Sequence, residues 1–339
     1  MTKPKKKNRF IYLYILIVLV LCFVIYLLPK LSDTMTKTVI AEYGTMELSD
    51  EVQCYAARNE KVYTAGTAAA GLLLIAALLA AGSGGQTEYL VNEGEKVRKG
   101  TKVLKVSGGG AGQPGDKYTS ILERLGSGAR QSDSYTTATN GVISYYIDGY
   151  ESTFTHKKIK KMTFDQVKDI QNDYMDLSRK SVLAGEPVYK LYKNEKWYMV
   201  FWIDEESASD YEKGRSVTVR LKDGEVEADI ESVTQQENKF RVILVSNRYY
   251  KSLASFRTET ATVITHTCSG LVLQNSCITE EDGQQGVYVR NTAGEYVFKP
   301  VQILLQGKKE SVLTAGQYYD NDGNAVSTIE IYDEVLRNP

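Results

Sequence analysis

Residues 10–28 run for 19 positions without a charge, a glycine or a proline. No other segment of the chain restricts its fold and placement as much. As a helix rising roughly 1.5 Å per residue it would be about 28 Å long, close to the hydrocarbon thickness of a bilayer. Five basic residues precede it with no acid among them: Lys3, Lys5, Lys6, Lys7 and Arg9. A secretory signal peptide is the rival reading, but its apolar region is typically about 7–15 residues long and ends in a small-x-small site. Here the exit reads Tyr-Leu-Leu-Pro-Lys-Leu-Ser-Asp. The expectation is an uncleaved single-pass anchor lodged in the lipid bilayer. Residues 1–9 then lie inside the cell and the bulk of the chain is extracytoplasmic, since positive flanks stay on the cytoplasmic side.

Of 41 basic residues, those five lie in the tail, so the rest of the chain carries 36 basic against 42 acidic side chains. A net acidic body has no strong field for phosphates, which argues against nucleic-acid binding. Cys22 falls in the apolar run and Cys54 stands alone. Cys268 and Cys277 are close enough to pair in an oxidising compartment, and free buried thiols are the equally open alternative.

Beyond the anchor the chain reads as mainly β. Short strand-like runs fill 39–63, and an odd Ala/Leu-rich segment, 68–81, follows, too short for an ordinary second span and expected to be an inserted helix. Residues 89–106 give two strands around a Gly-bounded turn rich in charge, and 107–134 read as a Gly/Ser-rich linker holding one short helix at 116–125. Strand signals return at 139–151. Thr163-Phe164-Asp165-Gln166 has the spacing of a capping box, and Phe164, Val167, Ile170, Tyr174 and Leu177 recur at helical intervals, so an amphipathic helix is expected over 163–179. From 186 to 266 six strands with polar turns, Asp223-Gly224 among them, predict a small barrel. A last β module, with Asp282-Gly283 and Asp322-Gly323 turns, completes the chain.

Three groups of motifs in this order resemble the HlyD-family membrane fusion, or periplasmic adaptor, proteins, in particular the short forms of Gram-positive, clostridia-like bacteria. The first is Gly94-Glu95-Lys96-Val97 with Gly100, and the second is Gly141-Val142-Ile143-Ser144-Tyr145 with Asp148-Gly149. The third is Gly185-Glu186-Pro187-Val188-Tyr189-Lys190, leading to Trp197-Tyr198. The resemblance implies an N-terminal transmembrane helix, then a split lipoyl-like (barrel-sandwich hybrid) domain with halves at 38–106 and 135–185. A β-barrel at 186–266 and a membrane-proximal β module at 267–339 follow. It also implies an inner-membrane transporter, of ABC type, as partner, and self-association into a ring. The lipoyl hairpin at Glu95, Lys96, Arg98 and Lys99 would form the ring contact. The insert 68–81 departs from the pattern, and so does the absence of a long helical hairpin between the lipoyl halves, which disfavours docking on an outer-membrane duct.

No chemistry competes with this reading. A carrier lysine for lipoate or biotin needs a hairpin-tip context, and the nearest candidate, Asp116-Lys117-Tyr118, lies in the linker, so no cofactor is expected. Gly108-Gly109-Gly110-Ala111-Gly112 lacks the Lys-Ser/Thr ending of a phosphate loop. His266 with Cys268 or Cys277 lacks a third group to orient a base, and Asp204-Glu205-Glu206 and Glu280-Glu281-Asp282 lack calcium-loop spacing, so neither catalysis nor a metal is expected. The run Lys157-Lys158-Ile159-Lys160-Lys161 reads as a solvated loop, with contact to anionic headgroups or wall polymers as its alternative. The rival function is a membrane-tethered envelope scaffold for cell division or wall assembly without a transporter.

Overall fold

The computed structural model describes residues 14, 16–21, 38–66, 85–107, 116–171 and 173–339. Residues 14 and 16–21 are helical with exposed side chains. Among the described residues no helix is long and apolar enough to cross a membrane. The remainder of the expected span 10–28 and the whole insert 68–81 lie outside the described residues. The chain forms two units, Ser49–His266 and a second made of Met1–Leu48 with Thr267–Pro339.

The larger unit holds a closed barrel. Its strands are Trp197–Asp204, Ser216–Leu221, Gly224–Gln236 and Lys239–Ser246, with the parts of Glu42–Ala57 and Thr258–Gln274 that belong to this unit. Ser216–Leu221 pairs with Gly224–Gln236 through the Asp223-Gly224 turn and also with Thr258–Gln274, where Thr218 faces Ile264, and this second pairing closes the ring. Closure leaves no barrel edge unpaired, the main hazard of an all-β fold. Alternation sets the interior: Val217, Val219 and Leu221 point in with Trp197, Met199, Phe201 and Ile203. Trp197 is fully buried, and an aromatic of this size removes about 150–250 Å² from water, worth roughly 4–6 kcal/mol.

The opposite face of Trp197–Asp204 is covered as well. Val200 and Trp202 pack with Tyr55, Phe154, Ile159, Met162 and Val167, so the 154–167 segment lies against the outside of the barrel. The expected helix over 163–179 does not form here. The Gln166 side chain accepts the Thr163 backbone N–H at 3.1 Å, but it caps only a single 3-10 turn, Phe164–Gln166, and Met175–Asp176 is a strand paired with Tyr146–Ile147. Two causes are visible. Val167 and Leu177 belong to different cores, so the apolar spacing did not mark one helical face. Asp169, Asn172, Asp173 and Asp176 also favour turns over helix.

The lipoyl-like part of this unit is a sandwich. One sheet orders Lys96–Val97, Gly141–Ser144, Pro187–Tyr192, Glu60–Ala65 and Ala129–Ser132, and the other orders Ser181–Val182, Gly85–Tyr89 and Leu104–Ser107. Leu104, Ile143, Tyr189 and Leu177 fill the space between, and Ile121 and Leu125 of the helix Thr119–Leu125 join the same core. Pro187–Tyr192, grouped with the barrel in the sequence reading, pairs on both sides within this sandwich, with Glu60–Ala65 and Gly141–Ser144.

In the smaller unit, Thr38–Ile40 pairs with Glu334–Leu336, placing Val39 opposite Val335. Gln284–Arg290 joins that sheet with Thr279–Glu281 and Tyr296–Pro300. Asp282 and Gly283 both have positive φ, at 51° and 80°, as the tight hairpin between Thr279–Glu281 and Gln284–Arg290 requires. Ala41, Leu271, Leu273, Val287, Leu313 and Val335 are among the residues of its core.

Candidate functional site

Two features of the larger unit bear on function: an exposed cationic loop and a buried ionic cluster. The loop is the hairpin around Lys96–Val97. Gly94 and Gly100, with φ of 75° and 85°, make its two left-handed bends, which explains the glycines of the sequence motif. Its backbone is held at nearly every residue. The Gly94 N–H donates to the Ile143 carbonyl at 3.0 Å, the Ile143 N–H returns to the Glu95 carbonyl at 3.1 Å, and the Gly100 N–H donates to the Thr137 carbonyl at 2.8 Å. The Lys99 N–H donates to Asn140 Oδ1 at 2.9 Å.

The four residues singled out from the sequence do lie together on this loop, yet they are not equivalent. Glu95 Oε2 accepts the Asn92 backbone N–H at 2.9 Å and so closes the turn. The side chains of Lys96, Arg98 and Lys99 are exposed and, among the described residues, have no carboxylate partner. Three cations on a fixed backbone, unpaired with carboxylates among the described residues, form a pre-organised contact surface for an acidic face.

The ionic cluster was not found from the sequence. Arg58, Glu60, Asp148, Glu151, Lys190 and Arg257 are all buried, three cations balancing three anions. Arg257 Nε lies 2.5 Å from Asp148 Oδ2, and its Nη2 lies 3.2 Å from Glu60 Oε1. Lys190 Nζ lies 3.2 Å from Glu60 Oε2 and 3.5 Å from Glu151 Oε1, and Arg58 pairs with Glu60. Further donors go to backbone carbonyls: Arg257 Nη1 to Ala56 at 2.7 Å, Lys190 Nζ to Ala254 at 3.0 Å, and Arg58 Nη1 to Phe256 at 2.9 Å. The cluster thereby ties two sandwich strands and the 148–151 turn to the segment entering the barrel strand Thr258–Gln274.

Burial raises the proton affinity of each carboxylate in this cluster, and the neighbours decide the outcome. For Asp148 the Arg257 charge and hydrogen bond outweigh burial and hold the carboxyl below its ordinary range. For Glu60 the charges of Arg58, Lys190 and Arg257 do the same. For Glu151 burial wins over Lys190, and its proton affinity rises; Oε2 of this residue has no hydrogen-bond partner among the described residues.

The other residues weighed from the sequence are dispersed. His156 stacks on Tyr198 with ring centroids 4.0 Å apart, and its Nε2 lies 2.8 Å from Glu231 Oε1. His266 Nδ1 contacts Thr265 Oγ1 at 3.3 Å. Cys54, Cys268 and Cys277 are free thiols, Cys277 buried in the core of the smaller unit, where burial raises its proton affinity. Asp204 pairs with Lys239 at 3.0 Å on the surface. Among the described residues no three His, Cys, Asp or Glu side chains converge to hold a metal ion.

Residues 77–193 match the model of the RND-related barrel-sandwich hybrid domain, and residues 197–267 match that of the RND-related β-barrel domain. The two matches together span more than half of the chain and meet where the sandwich strand Pro187–Tyr192 gives way to the barrel strand Trp197–Asp204. The chain carries an RND-related barrel-sandwich hybrid domain followed by an RND-related β-barrel domain, in the order that the sequence motifs implied.

Similar solved structures include MacA from Actinobacillus actinomycetemcomitans, 12% identical over 88% of this chain and 98% of that one, at a TM-score of 0.37. ZneB from Cupriavidus metallidurans is 10% identical over 88% and 91%, at 0.27. The membrane fusion protein Spr0693 from Streptococcus pneumoniae is 11% identical over 62% and 97%, at 0.26. No curated protein matches the sequence.

Proposed function

We propose that the protein is a non-enzymatic, membrane-anchored adaptor subunit of an efflux or export system. Residues 10–28 anchor it in the cytoplasmic membrane with the N-terminus inside, and the β body works outside. It couples a transporter of ABC type to extracytoplasmic handling of the substrate and associates laterally with further copies of itself. The observation that carries this reading is the hairpin at 94–100: Lys96, Arg98 and Lys99 stand on a hydrogen-bonded backbone without carboxylate partners among the described residues, next to a net acidic body that other copies would present.

The scaffold reading draws on one feature. Between the sandwich strands Leu104–Ser107 and Gly141–Ser144 the longest helix among the described residues is Thr119–Leu125, about 10 Å long, far short of a periplasm-spanning hairpin. An adaptor that does not reach an outer-membrane duct needs no longer one.

Mild crosslinking of the tagged full-length protein in membranes, followed by detergent extraction and mass spectrometry, separates the two. Recovery of transporter subunits, together with self-crosslinks that vanish in a Lys96→Glu/Arg98→Glu/Lys99→Glu variant, supports the adaptor. Recovery of division or wall-synthesis proteins alone sinks it.

A further inference from the structure

The segment that replaces the expected helix builds a groove on the outside of the larger unit. Its volume is about 520 Å³, within the range of small-molecule sites. The floor is apolar, made by Met162, Val167 and Ile170, and the rim carries Lys157, Lys158 and Lys161. Lys158 Nζ donates to the Ser152 carbonyl at 2.7 Å, whereas Lys157 and Lys161 have no carboxylate partner among the described residues. Of the acids nearby, Glu231 pairs with His156 and Lys160 and Asp165 with Lys168, while Asp169 is exposed beside Ile170.

The floor is also fixed in place. Met162 and Val167 belong to the core laid against the barrel, and the Met162 carbonyl accepts Arg241 Nη1 at 2.8 Å and Gln236 Nε2 at 3.1 Å. An apolar trough with unneutralised ammonium groups along one side matches one kind of molecule, an apolar chain carrying a negative head. Lysines present compact, strongly hydrated charges that suit a carboxylate or phosphate monoester at the water boundary. A concave site favours a single molecule over the flat surface of a bilayer.

We infer that this groove is a binding site for a single-chain anionic amphiphile, its chain on Met162, Val167 and Ile170 and its head against Lys157 and Lys161. For an adaptor, such a site would hold cargo or an envelope lipid fragment beside the barrel.

The test uses the full-length protein in phosphatidylcholine nanodiscs, with empty nanodiscs subtracted, and radiolabelled dodecanoate as probe. Saturable binding of one dodecanoate per chain is expected. Lys157→Gln/Lys161→Gln weakens it about tenfold or more, the loss of one charge-assisted hydrogen bond or greater. Lys160→Gln, which removes a lysine committed to Glu231, leaves it unchanged. Dodecanol, without the charge, binds as weakly as dodecanoate binds the double variant. Absence of saturable binding, equal affinity for dodecanoate and dodecanol, or full affinity in the double variant with an unchanged melting curve each overturns the proposal. So does binding that appears only in nanodiscs containing phosphatidylglycerol, which would mark a bilayer contact.

Discussion

Arg257 and Asp148, far apart in sequence, form a buried two-point ion pair: Nε to Oδ2 at 2.5 Å and Nη2 to Oδ1 at 3.3 Å. Arg257 stands just before the barrel strand Thr258–Gln274, and Asp148 stands in the turn after the strand Tyr146–Ile147, whose Ile147 packs in the sandwich core. The pair therefore fixes the sandwich to the barrel by charge as well as by packing. Removing one charge from such a site is far more damaging than never having had it, because the partner is left buried and uncompensated.

Asp148→Asn keeps the shape and deletes the charge, leaving three buried cations against two anions. The expected loss is about 3–5 kcal/mol of unfolding free energy. Denaturant unfolding of the detergent-solubilised chain, followed by tryptophan emission, measures it. A loss below about 1 kcal/mol, the size of an exposed pair, would refute the role given to this contact.

Acid should act through the same residues. Asp148 and Glu60 have folded-state proton affinities below their ordinary values, so their contribution to stability is complete above the unfolded carboxylate range of about pH 3.9–4.3. It is lost as the pH falls below that range toward their folded values. The melting temperature is expected to hold near neutrality and to drop below about pH 4, with a shallower drop in Asp148→Asn. Identical slopes in the two proteins would place the acid sensitivity elsewhere.

Glu151 carries the opposite sign. Its proton affinity is raised on folding, so ionising it costs stability as the pH rises above its unfolded value of about 4.3. Glu151→Gln retains an acceptor for the Asp148 backbone N–H, now bound by Oε1 at 3.1 Å. The substitution is expected to be neutral or stabilising at pH 7, in contrast to Asp148→Asn, and thermal melts at pH 5 and pH 8 check the pair. A loss as large as that of Asp148→Asn would mean that Glu151 is needed as a full negative charge.

Two motif glycines should separate by mechanism. A Cβ on Gly141 would meet the Tyr192 carbonyl oxygen at 2.8 Å and Leu191 Cδ1 at 2.9 Å, inside the sandwich, so Gly141→Ala overpacks it and is expected to cost about 1–3 kcal/mol. Gly100 faces open space, and Gly100→Ala is penalised only for its positive φ, by about 1–2 kcal/mol. Gly100→Ala should disturb self-association more than stability, and Gly141→Ala the reverse, as crosslinking and melting curves on both would register.

Much of this architecture was legible because it depends on neighbours in sequence. Asp223-Gly224 and Asp282-Gly283 do make hairpins, the helix near 116–125 forms over Thr119–Leu125, and Gly94 and Gly100 make the bends their motif implied. The 163–179 helix failed because periodicity records that residues are buried without recording in which core. The ionic cluster was out of reach for a related reason. Its six charges are scattered from Arg58 to Arg257, and only strand pairing gathers them. One local sign existed: Lys190 stands in Pro187–Tyr192, a strand otherwise free of charge and buried at all six positions, where a lone ammonium must have a buried partner.

The pairing of Thr38–Ile40 with Glu334–Leu336 has a consequence for biosynthesis. The strand Thr38–Ile40 of the smaller unit waits for a partner that is made only after the whole larger unit has emerged between them. At about 5–20 residues per second that wait is on the order of tens of seconds. During that time the sandwich and barrel can fold, while Val39 and Ala41 have no core to enter. The unit built around Val335 assembles after the larger one, and the nascent chain must keep Thr38–Ile40 from pairing with anything else until then.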